Sequence, residues 1–461
     1  MNKPVLPNSV EARDIAFHLH SQTNPQLIEE RGPTVITRGE GVRIHDNAGK
    51  VYIDAMAGLW CASLGFSNER LAAAATRQYA QLGFYHTFFN RTMEGAATLA
   101  EKLVGLTGIK DGKAYFATSG SEANETMVKL AWVYHTVRGK PTKRKVIARD
   151  RAFHGSTIAA ASMCGLGFMH REFGLPLPGF LHTLCPYPYR GMLEGEDEAA
   201  FVTRLVDELE KLILREGPDS IAAFIAEPIN AGGGIIVPPR DYFARVQQVL
   251  KKYDILFLDD EIVCGFGRTG NWFGKETVGA SPDMMSLAKG LSSSYFPISA
   301  VVVAPAIYEA VKEFNKAGGN FGHGFTNSGH PVGVAVALEA ISIYEEMNLI
   351  EHVRKMGARL RGHFERIGAA SPIVGEVRGA GLMLGIELVA DKASRAPLDP
   401  HLQAGMQFDA IAWENGMVAR CMGDVLGFSP PLIVEEADVD EIAERCETSL
   451  KQLEARLGFA R

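Results

Sequence analysis

Cysteine is scarce and scattered in this chain. Six cysteines occur in 461 residues, and they form neither a C-x-x-C pair nor a spacing typical of metal ligands. A disulfide framework is therefore excluded, no metal site is predicted, and we expect reduced thiols in a cytoplasmic protein. The first residues, MNKPVLPNSVEARD, contain no apolar core, so a secretion signal is not expected.

Long hydrophobic runs and a strong excess of one charge are also missing. Two stretches without acidic or basic residues, 290–308 and 317–338, are interrupted by serine, proline, histidine or glycine, so a membrane-spanning helix is not expected. A formal net charge of −7 gives no reason to expect nucleic acid or an anionic membrane as a partner. The 46% of hydrophobic residues that are present can form a large globular core.

The middle of the chain alternates short apolar runs with helical patterns. Strands are predicted at Lys113–Thr118, Lys145–Arg149, Ile221–Ala226, Ile255–Leu258 and Ile298–Val303, and helices at Glu122–His135, Phe201–Arg215 and Tyr242–Tyr253. This alternation predicts an α/β fold whose mostly parallel sheet is covered by helices on both faces. In such sheets ligands bind beyond the carboxyl ends of the strands.

The two ends of the chain differ from the middle. Short strands are predicted in Val35–Asp54, a long helix from Pro331 to Glu345, a strand pair in Val377–Glu387 and a terminal helix at Val439–Leu457. We therefore predict a large α/β domain of residues 71–330. A smaller α+β domain would be formed together by residues 1–70 and 331–461.

A turn of small residues follows the first predicted strand and opens a helix, in the segment TSGSEAN at 118–124. The free N–H groups at a helix start can bind an anion such as phosphate, and Ser121 would add a hydroxyl. A serine before acidic residues is equally typical of a plain helix cap. The motif alone leaves both interpretations open.

Two further groups follow strands at the same edge of the predicted sheet. Asp259 and Asp260 end one strand, where an acid could bind a metal, hold a protonated ring nitrogen or simply face solvent. Lys289 follows the apolar run MMSLA, and an apolar setting would lower its pKa and make it a competent amine nucleophile. Taken alone, this position favours an ordinary surface lysine, which is the usual place of lysine. The glycines of GFGRTG at 265–270 match a dinucleotide motif only in form, because no helix opens within them.

These pieces together carry more information than each alone. A phosphate cup, an acid for a ring nitrogen and a lysine for an aldehyde are what pyridoxal phosphate requires. The chain also resembles the class III, ω-type aminotransferases of fold type I. The matching segments are SGSEANE at 119–125, FHG at 153–155, EP at 227–228, DDEIVCGFGRTG at 259–270, AKG at 288–290 and HGFTNSGHP at 323–331.

The resemblance implies roles for individual residues around the cofactor. Lys289 would bind pyridoxal phosphate covalently and then move a proton, and Asp260 rather than Asp259 would pair with the ring nitrogen. Gly120 and Ser121 would hold the phosphate. Thr326 would reach the same phosphate from the partner subunit, which implies a homodimer or a dimer of dimers with shared active sites.

Four more residues are implied at the cofactor ring. Phe153, followed by His154, would stack on one face, where many relatives have tyrosine, and Ile262 would pack against the other. Glu227 would lie near the edge of the cofactor, although an acid at a strand end needs no such role.

The resemblance also implies which residues determine the choice of substrate. Val263 stands where members that use 2-oxoglutarate often have glutamine, and the chain is similar here to ω-amine:pyruvate and β-alanine:pyruvate transaminases. Trp60, Phe88 and Ala231 would line the pocket for the amine, although aromatics of this kind are otherwise ordinary core residues. Arg420 would pair with the carboxylate of the acceptor. We therefore expect transfer of an amino group from a primary amine or ω-amino acid to pyruvate.

Other functions use the same motifs. Amino-acid racemases, aminomutases and a decarboxylase share this fold, lysine and acid, so the motifs do not separate them from transaminases. A protein that binds pyridoxal phosphate without catalysis is a further alternative, and the intact set of Lys289 and Asp260 argues against it.

Overall fold

The computed structural model describes residues 6–316 and 319–459. The first five residues of the N-terminal segment and the first two of the stretch 317–338 lie outside these ranges. The helices are α1 Val10–Phe17, α2 Pro25–Arg31, α3 Ala57–Trp60, α4 Glu69–Leu82, α5 Glu94–Thr107, α6 Gly120–Val137, α7 Ile158–Met163, α8 Pro188–Gly191, α9 Glu198–Glu216, α10 Tyr242–Lys252, α11 Gly274–Val278, α12 Pro305–Phe314, α13 Pro331–Glu346, α14 Leu349–Ala370, α15 Ala404–Glu414 and α16 Glu436–Leu457. The strands are β1 Ile36–Glu40, β2 Arg43–Asp46, β3 Val51–Asp54, β4 Lys113–Ala117, β5 Lys145–Arg149, β6 Phe180–Thr183, β7 Ile221–Ala226, β8 Leu256–Asp260, β9 Met284–Leu287, β10 Ser299–Val303, β11 Val374–Ala380, β12 Met383–Leu388, β13 Met417–Val418, β14 Arg420–Met422 and β15 Val425–Phe428. Within the described ranges, no helix combines the length and the apolar character needed to cross a membrane.

A seven-stranded sheet forms the centre, in the order β4-β10-β9-β8-β7-β5-β6. Every residue of β7, β8 and β10 is buried, because helices cover both faces of these apolar strands. Strand β10 runs antiparallel to both β4 and β9, while the pairs from β9 to β6 are parallel. The prediction of a mostly parallel α/β sheet is therefore confirmed.

The strand order places the motifs together. Because β4, β8 and β9 all run in one direction, their carboxyl ends lie at the same edge of the sheet. Helix α6 begins three residues after β4 ends, β8 ends at Asp260, and Lys289 comes two residues after β9. Three motifs that are far apart in sequence therefore meet at one edge.

Segments from the two chain ends share a sheet. Strand β13, from the C-terminal part, pairs in parallel with β3 in a sheet of order β1-β2-β3-β13. A further antiparallel sheet, β11-β12-β15-β14, lies in the C-terminal part. The largest apolar core contains residues of both ends and of the central sheet, such as Ile53, Leu287 and Leu426. The boundaries at residues 70 and 331 stay a prediction.

Candidate active site

A cavity of about 900 Å³ opens at the carboxyl edge of the central sheet. It brings together most of the residues predicted from the sequence. These are Trp60, Gly120, Ser121, Phe153, His154, Glu227, Ala231, Asp260, Ile262, Lys289 and Arg420. Cavities of this size and at this place in an α/β sheet are typical of ligand sites.

Lys289 lies in the cavity directly after β9. Its backbone has a φ of 47°, in the left-handed region that side chains other than glycine rarely adopt. Such strain is found most often at functional positions. Burial lowers the pKa of the Lys289 ammonium, although the negative charge of Asp260 opposes this shift. The amine is therefore easier to deprotonate than that of an exposed lysine.

Asp260 is buried at the end of β8 and held by three donors. Asn124 Nδ2 and His154 Nδ1 each lie 2.8 Å from Asp260 Oδ2, and the backbone N–H of Ile262 donates to Oδ1 at 3.1 Å. The carboxylate is thus fixed in position within the cavity lining. This is the arrangement expected of an acid that must meet a ligand atom at a defined place.

The start of helix α6 presents free donors. Ser119 Oγ accepts the N–H of Glu122, so the cap is formed by Ser119, and the N–H groups of Gly120 and Ser121 have no acceptor among the described residues. A Cβ added at Gly120 would lie 2.7 Å from a side-chain atom of Ile262. A side chain at this position would have to displace the end of the Ile262 side chain, and an anion at these N–H groups would be stabilised by the helix dipole.

Glu227 is a buried acid in the cavity lining. Desolvation raises its pKa to about 8, although the nearby Arg149 guanidinium opposes the shift. Glu227 Oε2 lies 4.0 Å from Arg149 Nη2 and has no hydrogen-bond partner among the described residues. The raised pKa favours the protonated form of this carboxyl group, which can donate a hydrogen bond to a ligand.

Arg420 brings a cation into the same cavity. Burial lowers the pKa of its guanidinium, and the nearby Asp409 opposes this shift. Asp409 itself is not within ion-pair distance, and in the described chain no carboxylate lies within 4 Å of Arg420. A half-buried guanidinium without a bound counter-ion is a ready receptor for the carboxylate of a ligand.

Phe88 and Thr326 do not line the cavity of their own chain. Phe88 instead packs against the segment that precedes Thr326, since a Cβ added at Gly324 would be 2.8 Å from the ring of Phe88. Thr326 is exposed in the single chain. The structure thus separates these two predicted residues from the others.

The cavity also contains residues that the sequence did not indicate. Ser21 and Gln22 line it from a segment between α1 and α2, and no motif marks them. Asn124, which donates to Asp260, could have been predicted as a site residue from the sequence, because it lies about one helical turn after Gly120 on α6.

The residues fit pyridoxal phosphate. Free N–H groups stand where a phosphate would bind, a fixed carboxylate lies in the cavity for a ring nitrogen, and a lysine with a lowered pKa lies in the same cavity. Phe153 and Ile262, both in the lining, supply apolar surface for an aromatic ring.

Comparison with known proteins agrees with this site. Residues 28–450 match the model of the family described as aminotransferase class-III. The chain is 47% identical over 427 residues to gamma-aminobutyrate transaminase 1, mitochondrial, of Oryza sativa subsp. indica. This match covers 92% of the chain and 83% of that relative. It is also 47% identical to gamma aminobutyrate transaminase 3, chloroplastic, of Solanum lycopersicum, over 98% of the chain and 88% of that relative.

A solved structure is similar over almost the whole chain. It is the ω-transaminase of Pseudomonas jessenii in complex with PMP, with a TM-score of 0.96 and 48% identity over 98% of this chain and 100% of that one. The predictions of fold type I, of the cofactor and of the enzyme class are confirmed by these matches. The chain belongs to the class III aminotransferases, which transfer amino groups with pyridoxal phosphate as cofactor.

Proposed function

We propose that this enzyme transfers an amino group from a primary amine or ω-amino acid to pyruvate and releases alanine and an aldehyde or ketone. The observation that carries the proposal is the unpaired guanidinium of Arg420, which lies in the same cavity as Lys289. A small 2-oxo acid has one carboxylate for this guanidinium and one carbonyl group to face the reacting end of the cavity.

The charges of the cavity favour pyruvate over 2-oxoglutarate. Within the described chain, Lys289 and Arg420 are the only lysine and arginine that line it. With Lys289 engaged in the reaction, Arg420 is left to pair with a carboxylate, and the second carboxylate of 2-oxoglutarate would be desolvated without a partner.

The amine donor would lie against apolar surface. Trp60 and Ala231 are both buried and line the cavity, and Phe153 and Phe168 add aromatic surface. An uncharged amine substituent is therefore accepted without a counter-ion, and Arg420 would turn away from it. The names of the plant relatives, gamma-aminobutyrate transaminases, support an ω-amino acid as a further donor.

Lys289 and Asp260 would each have a chemical task at the cofactor. Pyridoxal phosphate, when bound, supplies an aldehyde carbon for the amino group and a ring that withdraws electrons. Lys289 would bind it and afterwards take and return the substrate proton at Nζ, which its lowered pKa favours. Asp260 would hold a proton at the ring nitrogen, while Asn124 and His154 keep its carboxylate in place.

We further propose that two chains form a homodimer with shared active sites. Phe88 and Thr326 lie outside the cavity of their own chain, and Phe88 contacts Gly324, two residues before Thr326. Phe84, Tyr85 and Phe89 are exposed in the same segment as Phe88, which supports a subunit contact there. Thr326 would then reach the phosphate of the partner subunit. Sedimentation of the holoenzyme as a fully active monomer would contradict this.

The decisive assay is a panel of amine donors, each with pyruvate or 2-oxoglutarate as acceptor. We expect alanine to form in equal amount to the aldehyde or ketone, and glutamate to form slowly. Alanine formation without a matching carbonyl product would instead indicate a different reaction on the same cofactor. Glutamate formation as fast as alanine formation would contradict the assignment of pyruvate.

Replacement of Lys289 tests the reacting amine. We expect Lys289→Ala to lower the rate of alanine formation at least about a thousand-fold, because both covalent binding and proton transfer are lost. The absorbance of lysine-bound cofactor should disappear as well. Lys312→Ala is the matched control, since Lys312 is exposed and pairs only with Glu309. Retention of activity in Lys289→Ala would refute the assignment.

Replacement of Arg420 tests the carboxylate receptor. We expect kcat/KM for pyruvate to fall about ten- to a hundred-fold in Arg420→Ala, the loss typical of a charged hydrogen bond. The half-reaction with an uncharged aryl-alkyl amine should stay close to wild type. Arg77→Ala, at an exposed arginine, is the control. An equal loss with both substrates would argue against a carboxylate clamp at Arg420.

A further inference from the structure

A cluster of two histidines and one aspartate lies outside the catalytic residues, at the end of helix α1. His18 Nδ1 lies 2.9 Å from Asp14 Oδ1, and His20 Nε2 lies 2.5 Å from Asp14 Oδ2. The two rings are 4.2 Å apart between centroids. One ligand atom from each of the three residues can be chosen so that all lie within 4.8 Å of one another. In the described part of the chain, no other group of three such side chains meets this condition.

From this geometry we propose that Asp14, His18 and His20 form a binding site for a divalent transition metal of the Zn²⁺ class. Two imidazole nitrogens and one carboxylate are a donor set suited to such ions. Mg²⁺ and Ca²⁺ prefer sites made of oxygen alone, so they are not expected to bind.

The side chains need a modest adjustment to receive an ion. Ligands about 2.1 Å from a tetrahedral Zn²⁺ lie about 3.4 Å from one another. His18 and His20 contact different oxygens of Asp14, so one oxygen would have to approach the second imidazole, from a separation within 4.8 Å, as the ion replaces the hydrogen-bonded protons. The side chain of His18 is 62% exposed, so the ion can enter from solvent and keep water in the fourth position.

The site lies next to the active-site cavity along the chain. His20 is followed directly by Ser21 and Gln22, which line that cavity. Residues 18–24, which we call the N-terminal strap, join α1 to α2. A metal bound by Asp14 on α1 and by two residues of the strap would cross-link the two parts. We therefore expect the bound metal to reduce the mobility of the strap over the cavity.

The first measurement is Zn²⁺ binding to the holoenzyme, purified without an affinity tag, by competition with a chromophoric chelator. We expect the wild type to bind an equivalent of Zn²⁺ per chain, and His18→Ala and His20→Ala to bind it at least about ten-fold more weakly. Asp14→Asn, which keeps the size of the side chain, should weaken binding as well. His401→Ala, at an exposed histidine elsewhere, should bind like the wild type.

The second measurement is hydrogen exchange in residues 18–24, with and without Zn²⁺. Exchange should slow when Zn²⁺ is added to the wild type and to His401→Ala, and stay unchanged in His18→Ala and His20→Ala. Mg²⁺ should have no effect on any of them. Equal Zn²⁺ affinity in all variants, or no slowing in the wild type, would overturn the proposal and leave the cluster as a hydrogen-bonded end of α1.

Discussion

At the scale of single residues, the two neighbouring acidic residues of β8, Asp259 and Asp260, lie in different surroundings. Asp260 accepts three hydrogen bonds and lines the cavity, whereas Asp259 is fully buried outside the cavity lining, beside the carboxyl group of Glu261. Successive side chains of a strand point to opposite faces, so only one can serve the cavity. Desolvation, followed by the negative charges of Glu261 and Asp260, raises the pKa of Asp259 well above its usual range.

The raised pKa of Asp259 predicts a pH-dependent cost in stability. The pKa of Asp259 is higher in the folded state than in the unfolded state, so at low pH, where both states bind the proton, the group does not reduce the stability. As the pH rises above the unfolded-state pKa, the unfolded state loses its proton first and the folded state becomes less stable relative to it. Asp259→Asn should therefore be more stable than the wild type at pH 8 by about 1 kcal/mol or more, with a smaller difference at pH 5. Thermal unfolding of the holoenzyme at both pH values measures this.

Asp219→Asn is the control for that experiment, because Asp219 is exposed. It should change neither the stability nor its dependence on pH. If Asp259→Asn and Asp219→Asn have the same effect on stability at both pH values, then desolvation of the Asp259 carboxyl group does not destabilise the folded state.

At the scale of elements, helix α6 shows how a cap and an anion site coexist. Ser119 Oγ and the carboxylate of Glu122 form a capping box. This leaves the N–H groups of Gly120 and Ser121 for a ligand. The two interpretations that the sequence left open are therefore compatible, since different residues of one turn carry them.

Loss of the α6 cap should affect both stability and cofactor binding. We expect Ser119→Ala to cost about 1 kcal/mol of stability, as for other helix caps, and to accelerate the dissociation of pyridoxal phosphate. Asp197→Ala removes the cap of α9, where Asp197 accepts the N–H of Ala200, and should cost a similar amount without affecting the cofactor. Thermal unfolding and cofactor release measure the two effects. Equal cofactor retention in both variants would contradict a link between the cap and the site.

The strands and helices that were predicted in the central domain agree with the structure to within a few residues, whereas several short elements, such as α7, α12, β6 and β9, were not predicted. Strands β5 and β7 match the prediction fully, because continuous apolar runs of that length indicate buried strands. The four-residue strands β6 and β9 were not assigned as strands, since such short runs carry little periodicity. The reversed direction of β10 has no signal in its own sequence, because direction depends on how the chain returns to the sheet.

At the scale of the whole molecule, Arg378 joins the C-terminal sheet to the cavity. It is buried on β11 and forms ion pairs with Glu376 at 2.7 Å and Glu387 at 2.8 Å. Its Nη2 and Nε also donate to the carbonyl of Gly234, at 2.6 and 3.0 Å. Gly234 follows Ala231 and Gly232, which line the cavity, so the side chain of Arg378 connects the C-terminal sheet with the cavity wall.

Removal of Arg378 should therefore destabilise the molecule strongly. We expect Arg378→Ala to cost about 2–3 kcal/mol, because it removes the buried guanidinium that bonds Glu387 and the carbonyl of Gly234, although Glu387 keeps Arg190 and Tyr187 as partners. Arg366→Ala is the matched control, since Arg366 is exposed and pairs with Glu447 at 3.1 Å, and it should cost less than about 1 kcal/mol. Unfolding in urea compares the two. A small loss in Arg378→Ala would show that the C-terminal sheet is held by apolar packing alone.

The sequence by itself determined the alternation of strands and helices, the glycine-rich start of α6, an acid after a strand and a lysine after a short apolar run. These features follow from local periodicity and backbone geometry, which neighbouring residues set. The family resemblance had pointed to Asp260, but only the tertiary structure decided how its carboxylate is held, with Asn124 and His154 brought to it across 136 and 106 residues. It also decided that Arg420 stands there without a counter-ion and that Ser21 and Gln22 cover the cavity. Such contacts depend on the packing of the whole chain, which local residue patterns do not encode.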